Sequence, residues 1–289
     1  MSVLILTSAG GVTQEMVARA RAAADLPAAR RLGAGGVDFA ATPEALAPAR
    51  EALEDFPVDV NLLPRLNRRK RLLVADMDST IITVECVDEI ADMLGVKYRV
   101  AAITEAAMRG ELDFEAALRE RVALLKGLPE TTLQQVYDER VRLSPGARTM
   151  VQTMRANGAR AVLVSGGFTF FAERVEQAAG FDRSRANVLM IEDGALSGMV
   201  AAPILGRQAK LDTLRDTVAE IGVTSDEALA LGDGANDLAM LSAAGIGVAY
   251  RAKPIVAEQA DARLDHSDLT AVLYLQGYAE SEFVGSEAA

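Results

Sequence analysis

The stretch Arg71-Leu72-Leu73-Val74-Ala75-Asp76-Met77-Asp78-Ser79-Thr80 decides the fold. Leu72 to Ala75 is a short apolar run of the kind that is buried on both faces in a parallel sheet. It stops at two aspartates separated by one residue. In extended backbone, side chains at i and i+2 project to the same side. Asp76 and Asp78 are therefore expected to point together out of the carboxyl end of a strand, where open α/β sheets place their ligands. Two carboxylates that close repel each other and raise a pKa unless a cation lies between them. A hard, oxygen-seeking ion such as Mg²⁺ resolves the repulsion.

Working outward, the bulk properties set bounds. The 289 residues suffice for one large or two modest domains with a real core. Half are apolar and a quarter charged, which marks a globular chain. A net charge of -11 argues against a nucleic-acid surface, which needs a basic stripe. No apolar run is long enough to span a bilayer, so no membrane partner is expected. Met1-Ser2-Val3-Leu4-Ile5-Leu6 lacks the basic start of a secretory signal. The single cysteine, Cys86, excludes an intramolecular disulfide and fits a reducing, cytoplasmic location. The single histidine, His266, excludes histidine-rich zinc sites and paired-histidine phosphoryl transfer.

Before the opening stretch, Val3 to Thr7 reads as a strand and Thr13 to Ala24 as a helix capped by Thr13. Thr42-Pro43-Glu44 opens a second helix, and Val58 to Leu62 alternates like another strand. Residues 1–66 thus form a small α+β unit. Pro64 to Arg71 is a basic connector, read as a solvated linker rather than a nucleic-acid patch. After Thr80, helical periodicity holds from Glu85 to Leu143, with breaks at Gly95, Gly110 and Gly127-Leu128-Pro129. An all-helical block directly after a catalytic strand is expected to be a lid that excludes water. Ser144-Pro145-Gly146 restarts the core, with a helix from Thr149 and a strand over Ala161 to Val164. Ser165-Gly166-Gly167 then leads into a helix from Phe168, a turn whose N–H groups suit an anion. Glu192-Asp193-Gly194 joins two short strands as a hairpin. A last buried strand, Ala228 to Leu231, ends in Gly232-Asp233-Gly234-Ala235-Asn236-Asp237.

Three strand ends therefore carry two aspartates, a serine-glycine turn and a glycine-aspartate loop, with Lys210 between the second and third. These groups suit phosphoryl transfer. Uncatalysed monoester hydrolysis demands accelerations up to ~10²¹, and a general acid supplies only ~10²–10⁴ of that. The remainder must come from positioning and preorganised charge. Asp76 is expected to attack phosphorus as a carboxylate nucleophile. Asp78 would protonate the leaving alcohol and later deprotonate water, while Mg²⁺ on Asp76 and Asp233 holds two anions at close range.

Taken as an ordered set, Asp76-Met77-Asp78-Ser79-Thr80, Ser165-Gly166-Gly167-Phe168, Lys210 and Gly232 to Asp237 resemble the haloacid dehalogenase-superfamily phosphatases. Within that superfamily they are similar to the phosphoserine phosphatases that carry an N-terminal extension. The resemblance runs from about Lys70 to Tyr278. It implies an α/β fold with a Rossmann-like parallel-sheet core over 67–84 and 144–289, a helical cap over 85–143 and an ACT-like domain over 1–66. It implies an aspartyl-phosphate intermediate and Mg²⁺ that also touches the backbone carbonyl of Asp78. Ser165, Gly166, Gly167, Lys210 and Asn236 would meet the phosphate, with Thr80 and Asp237 in support. The family pattern V-E-x-x-D-E matches Val84 to Glu89. It assigns Glu85 to the ammonium of O-phosphoserine and Arg121 to its carboxylate, with Met108 and Phe114 as an apolar wall. A zwitterion needs one anion and one bidentate cation on opposite sides.

Other readings stay open at this stage: a phosphomonoesterase or phosphotransferase with a different cap specificity, or an amino-acid-binding regulator with a vestigial hydrolase half. A transporting ATPase is excluded by the lack of spans. Dehalogenase chemistry does not need Asp78. Serine is a candidate regulator through residues 1–66, with Gly33 to Gly36 as a suggested ligand loop, and a homodimer is left open. Cys86 reads as a small buried hydrophobe and His266 as structural or surface.

Overall fold

A computed structural model describes residues 2–108 and 111–285 of the chain. Its first unit holds β1 (Ser2–Thr7), α1 (Gln14–Ala24), β2 (Arg30–Arg31), β3 (Gly36–Ala41), α2 (Leu46–Ala52) and β4 (Asp59–Pro64). The strands form an antiparallel sheet in the order β2-β3-β1-β4. Leu4 and Leu6 face helices α1 and α2 in a core of their own, with Met16, Ala20, Ala49 and Leu53. Alternate residues Val3 and Ile5 face the larger core, so one sheet is covered on both sides. Thr13 caps α1 by accepting from the Met16 N–H at 3.2 Å, as its position suggests. Thr42 makes no such bond, and Pro43 opens a single 3₁₀ turn before α2.

The second unit begins with β5 (Leu72–Ala75). An all-helical insertion follows: α3 (Cys86–Met93), α4 (Lys97–Met108), α5 (Phe114–Ala123) and α6 (Thr131–Arg140). The expected break at Gly110 lies outside the described residues. The chain then runs through α7 (Ala147–Ala156), β6 (Arg160–Phe168), α8 (Thr169–Ala179), β7 (Arg183–Asn187) and the hairpin β8 (Leu189–Glu192) and β9 (Ala195–Val200). It ends with α9 (Arg207–Ile221), β10 (Ala228–Gly232), α10 (Leu238–Ala243), β11 (Ile246–Tyr250), α11 (Pro254–Gln259), β12 (Ala262–Leu264) and α12 (Ala271–Leu275).

Six strands build a wholly parallel sheet in the order β12-β11-β10-β5-β6-β7. The apolar run of β5 is divided between its faces: Leu73 and Ala75 join one core, Leu72 and Val74 the other. Leu229 and Leu231 of β10 follow the first pair, Ala228 and Ala230 the second. Burial on both sides is why these strands are continuous apolar runs rather than alternating ones. β5 lies at the centre, and the chain goes first to β6 on one side and later to β10 on the other. Its carboxyl end is therefore a topological switch point.

The insertion leaves and rejoins this sheet through two adjacent segments. Thr83 N–H donates to the Arg142 carbonyl (3.1 Å) and Ser144 N–H to the Ile81 carbonyl (2.8 Å). The hairpin turn at Asp193-Gly194 is left-handed at both residues (φ 51° and 78°), as a tight two-residue turn requires. Its second strand packs on the insertion, where Leu196 and the Gly127-Leu128 segment exchange N–H to carbonyl bonds of 2.8 Å.

The two units share a polar seam. Asn61 on β4 donates to the Arg263 carbonyl and accepts from the Arg263 N–H, both at 2.9 Å, so a side chain completes the edge of β12. Asp59 accepts from the N–H groups of Asp265 and His266 (2.8 and 3.1 Å). The His266 side chain is exposed. Gly33 to Gly36 is not shaped as a ligand loop: a Cβ on Gly33 or Gly36 would overlap Tyr274 or Glu280, which occupy that space. Nor is the basic connector merely solvated. Arg68 and Lys70 are buried, and Lys70 Nζ donates to the Asp226 carbonyl at 2.6 Å.

Candidate active site

Asp76 leaves β5 in extended conformation, and its N–H donates to the Leu231 carbonyl at 2.9 Å. The regular strand ends there. Ser79 is left-handed (φ 55°), an uncommon state for a non-glycine residue, and turns the chain toward the insertion. This turn separates the partners of the two aspartates, which regular extended backbone would have brought together. Asp76 Oδ1 accepts from Lys210 Nζ at 2.6 Å. Asp78 instead accepts from Ser165 Oγ at 2.9 Å and from the Cys86 N–H, the first residue of α3, at 2.9 Å. The charges that crowd Asp76 belong to Asp237 and Asp233.

Lys210 lies in the first turn of α9 and is 2 % exposed. Its ammonium bridges Asp76 and Asp237, each at 2.6 Å. Asp237 Oδ2 accepts in turn from the Gly234 N–H at 3.0 Å. The glycines of this loop are required by close approach: a Cβ on Gly232 or Gly234 would overlap Asp237 or Asn236. Thr80 Oγ1 donates to Asp233 Oδ1 at 3.1 Å. Burial and then Asp237 push Asp76 well above the usual carboxylate range, and the same two causes raise Asp233. Burial works against Lys210, yet Asp76 and Asp237 hold its proton more tightly than usual. One ammonium among three buried or half-buried carboxylates leaves a surplus of negative charge.

That surplus fits a divalent cation. Carboxylate oxygens of Asp76, Asp233 and Asp237 all lie within 4.8 Å of one another. Hard cations are bound by oxygen donors of this kind. The Asp78 carboxylate is outside the cluster.

At the insertion side, Glu85 accepts from Ser79 Oγ at 2.7 Å. Partial desolvation by neighbouring atoms first, and the charge of Asp78 second, push its carboxyl up to about 7, while the side chain stays exposed on its other side. Arg121 on α5 donates through Nε to the Ala117 carbonyl at 3.2 Å. Burial lowers the pKa of its guanidinium, against the fields of Asp88, Glu85 and Asp78, which face it. An acid and a guanidinium thus flank the space beside Asp78. Phe114 lies against Gly166 and Gly206, either of which would crowd its ring if it carried a Cβ. The side chain of Met108 lies outside the described residues.

The serine-glycine segment differs from the expected free turn. Ser165 to Gly167 form the distorted end of β6, where the register with β7 shifts between Val164 and Phe168, and α8 starts at Thr169. The Ser165 hydroxyl gives its hydrogen to Asp78 and accepts from the Gly167 N–H at 2.7 Å. Asn187 staples the segment, donating to the Gly166 carbonyl (2.8 Å) and accepting from the Leu205 N–H (2.7 Å). Nothing in the sequence marks Asn187, because its partners come from two distant loops. Asp88, the second acid of the Val84 to Glu89 pattern, lies on α3 with its charge acting on Arg121.

A family model described as haloacid dehalogenase-like hydrolase matches residues 73–242. A phosphoserine phosphatase of Polaromonas sp. is 49 % identical over 210 residues, covering 71 % of this chain and 89 % of that protein. Among solved structures, a haloacid dehalogenase family hydrolase from Salmonella enterica serovar Typhi superposes with a TM-score of 0.85 at 32 % identity. It covers 97 % of this chain and 99 % of its own. A substrate-bound phosphoserine phosphatase superposes with a TM-score of 0.66 at 37 % identity, over 71 % of this chain and 97 % of its own.

Proposed function

The chain belongs to the haloacid dehalogenase-like hydrolases, and from that membership we propose that it hydrolyses O-phosphoserine to serine and phosphate, the last step of serine biosynthesis. The observation that carries the chemistry is the buried bridge from Asp76 through Lys210 to Asp237 at the carboxyl end of the central strand. It holds one carboxylate oxygen of Asp76 in place, beside a carboxylate cluster suited to the cation that an incoming dianion requires.

In the first half-reaction a carboxylate oxygen of Asp76 attacks phosphorus, and the bond from phosphorus to the seryl oxygen breaks. Asp78 supplies the proton that the leaving alkoxide takes up. In the second, Asp78 as carboxylate takes a proton from water, whose oxygen attacks the aspartyl-phosphate, releasing phosphate and restoring Asp76. Lys210 neutralises charge on Asp76 and the phosphoryl oxygens, and Asn236, Gly166 and Gly167 border the same space. The Ser165 hydroxyl orients Asp78 until a phosphoryl oxygen competes for it. Mg²⁺ held by Asp76 and Asp233, with Asp237 in support, would screen the repulsion between nucleophile and phosphate and polarise the phosphoryl group.

We read the helical insertion as a cap that selects the substrate. Glu85 offers the anion for the ammonium and Arg121 the fork for the carboxylate, with Phe114 as the apolar wall. We read residues 1–66 as an ACT-like regulatory unit that responds to serine. The deciding experiment is a panel of phosphate esters with and without chelator. O-phosphoserine should lead the panel and chelation should silence every ester. A neutral aryl phosphate turned over as efficiently as O-phosphoserine refutes the substrate; full activity in chelator refutes the metal.

A further inference from the structure

The basic connector builds a second polar cleft at the seam of the two units, apart from the carboxylate cluster. Its volume is about 690 Å³, within the range of small-molecule sites. Arg30, Arg65, Arg68 and Arg69 line it, together with Asp38 and the exposed Ala40 of β3. Four guanidinium groups converge here in a chain whose net charge is -11.

The acids nearby do not balance them. Asp38 accepts from Arg30 Nε at 2.9 Å and Arg68 Nη2 at 2.7 Å. Burial works against Asp38, but those two bonds hold its carboxyl below the usual range, so it serves as a shared anion. Arg69 pairs with Glu282 at 2.8 Å. Arg68 decides the matter. Its side chain is 8 % exposed, and its Nη1 has no hydrogen-bond partner among the described residues. A buried guanidinium N–H without an acceptor is costly unless a ligand completes it. Gly277, left-handed at φ 80°, keeps the floor open, since a Cβ there would lie 2.6 Å from Arg68 Nη2.

We propose that this cleft binds a small anion through a carboxylate or phosphate group, with Arg68 as its buried anchor and Arg65 and Arg69 at its mouth. Guanidinium forks match both oxyanions bidentately. Arg30 and Ala40 belong to the first unit while Gln276 and Gly277 belong to the second, so the ligand would bridge the two and tie their seam.

Equilibrium dialysis of the full chain tests this with two labelled probes: inorganic phosphate, and L-serine as the organic product of the proposed reaction. The variant Ala40→Glu places a carboxylate in the cleft from an exposed position. The parent should bind one equivalent of at least one probe that A40E binds about tenfold or more weakly. Turnover of O-phosphoserine should be unchanged in A40E. Loss of phosphate alone identifies a phosphate-bearing ligand, and loss of serine alone a carboxylate. Arg68→Met should match A40E; if it does not fold, because Asp38 loses its partner, Arg65→Ser replaces it. Equal uptake of both probes by parent and A40E overturns the proposal, since any binding then belongs to the carboxylate cluster.

Discussion

Replacing Glu85 by glutamine should stabilise the metal-free protein at alkaline pH while impairing it as an enzyme. The folded chain holds the Glu85 proton up to about pH 7, whereas the unfolded chain releases it near the ordinary value of 4.5. Between those values unfolding releases a proton, so stability falls as pH rises. Below 4.5 both states are protonated and nothing is lost; above 7 the whole cost is present. The Glu85 side chain is exposed, so solvent screening discounts the cost of that shift to about 1 kcal/mol or less. Relaxation of Asp78, the second cause of the shift, will reduce it. Glutamine keeps an oxygen to accept from Ser79 Oγ and never ionises.

The assay is urea unfolding of parent and E85Q in chelator, at about pH 4.5 and about pH 8. The two proteins should coincide within experimental error at the lower pH. At the higher pH E85Q should be more stable by up to about 1 kcal/mol. Its KM for O-phosphoserine should rise, because the ammonium loses its counter-charge. Identical midpoints at both values would refute the reasoning, since Glu85 would then titrate alike in the folded and unfolded chains.

Three further outcomes are expected. Asp78→Asn keeps an acceptor for the Cys86 N–H but cannot donate the catalytic proton, so kcat for O-phosphoserine should fall ~10²–10⁴-fold. The loss should be smaller for an ester of an acidic phenol, and equal losses on both esters would remove Asp78 from leaving-group protonation. Lys210→Met strands Asp76 and Asp237 without their buried cation and should cost about 3–5 kcal/mol of metal-free stability in denaturant unfolding; an unchanged midpoint contradicts the network. Asn61→Ala removes both bonds to Arg263 and should cost about 2 kcal/mol, at about 1 kcal/mol for each bond. A loss below about 0.5 kcal/mol would mean that water replaces them at the edge of β12.

The strands that carry the site were legible because burial on both faces writes an uninterrupted apolar run, as in Leu72 to Ala75 and Ala228 to Leu231. The acids at their ends were legible because a run that stops at charge marks the sheet's carboxyl edge. Lys210 was not legible from spacing: a lone lysine in a helix reads as a surface charge, and only the company of the other motifs singled it out. Gly33 to Gly36 suggested a ligand loop because glycine frees the backbone, but the reason for these glycines is Tyr274, far along the chain. The basic connector read as solvated because composition cannot tell a buried arginine from an exposed one. Arg68 and Lys70 are buried by groups that only the docking of the two units supplies.

Asp78 links the position of the helical insertion to proton transfer. One of its oxygens is held by Ser165 on the parallel sheet and the other by the Cys86 N–H at the start of α3. A helix amino end favours a carboxylate over a carboxylic acid. Displacing α3 therefore removes one of the two contacts that orient the Asp78 carboxylate. The Cys86 thiol cannot share this task, because burial and then Asp78 push it well above the usual range and keep it neutral. Cys86 matters through its backbone N–H. The residue read from the sequence as a small buried hydrophobe thus also supplies the amide that sets the orientation of the acid.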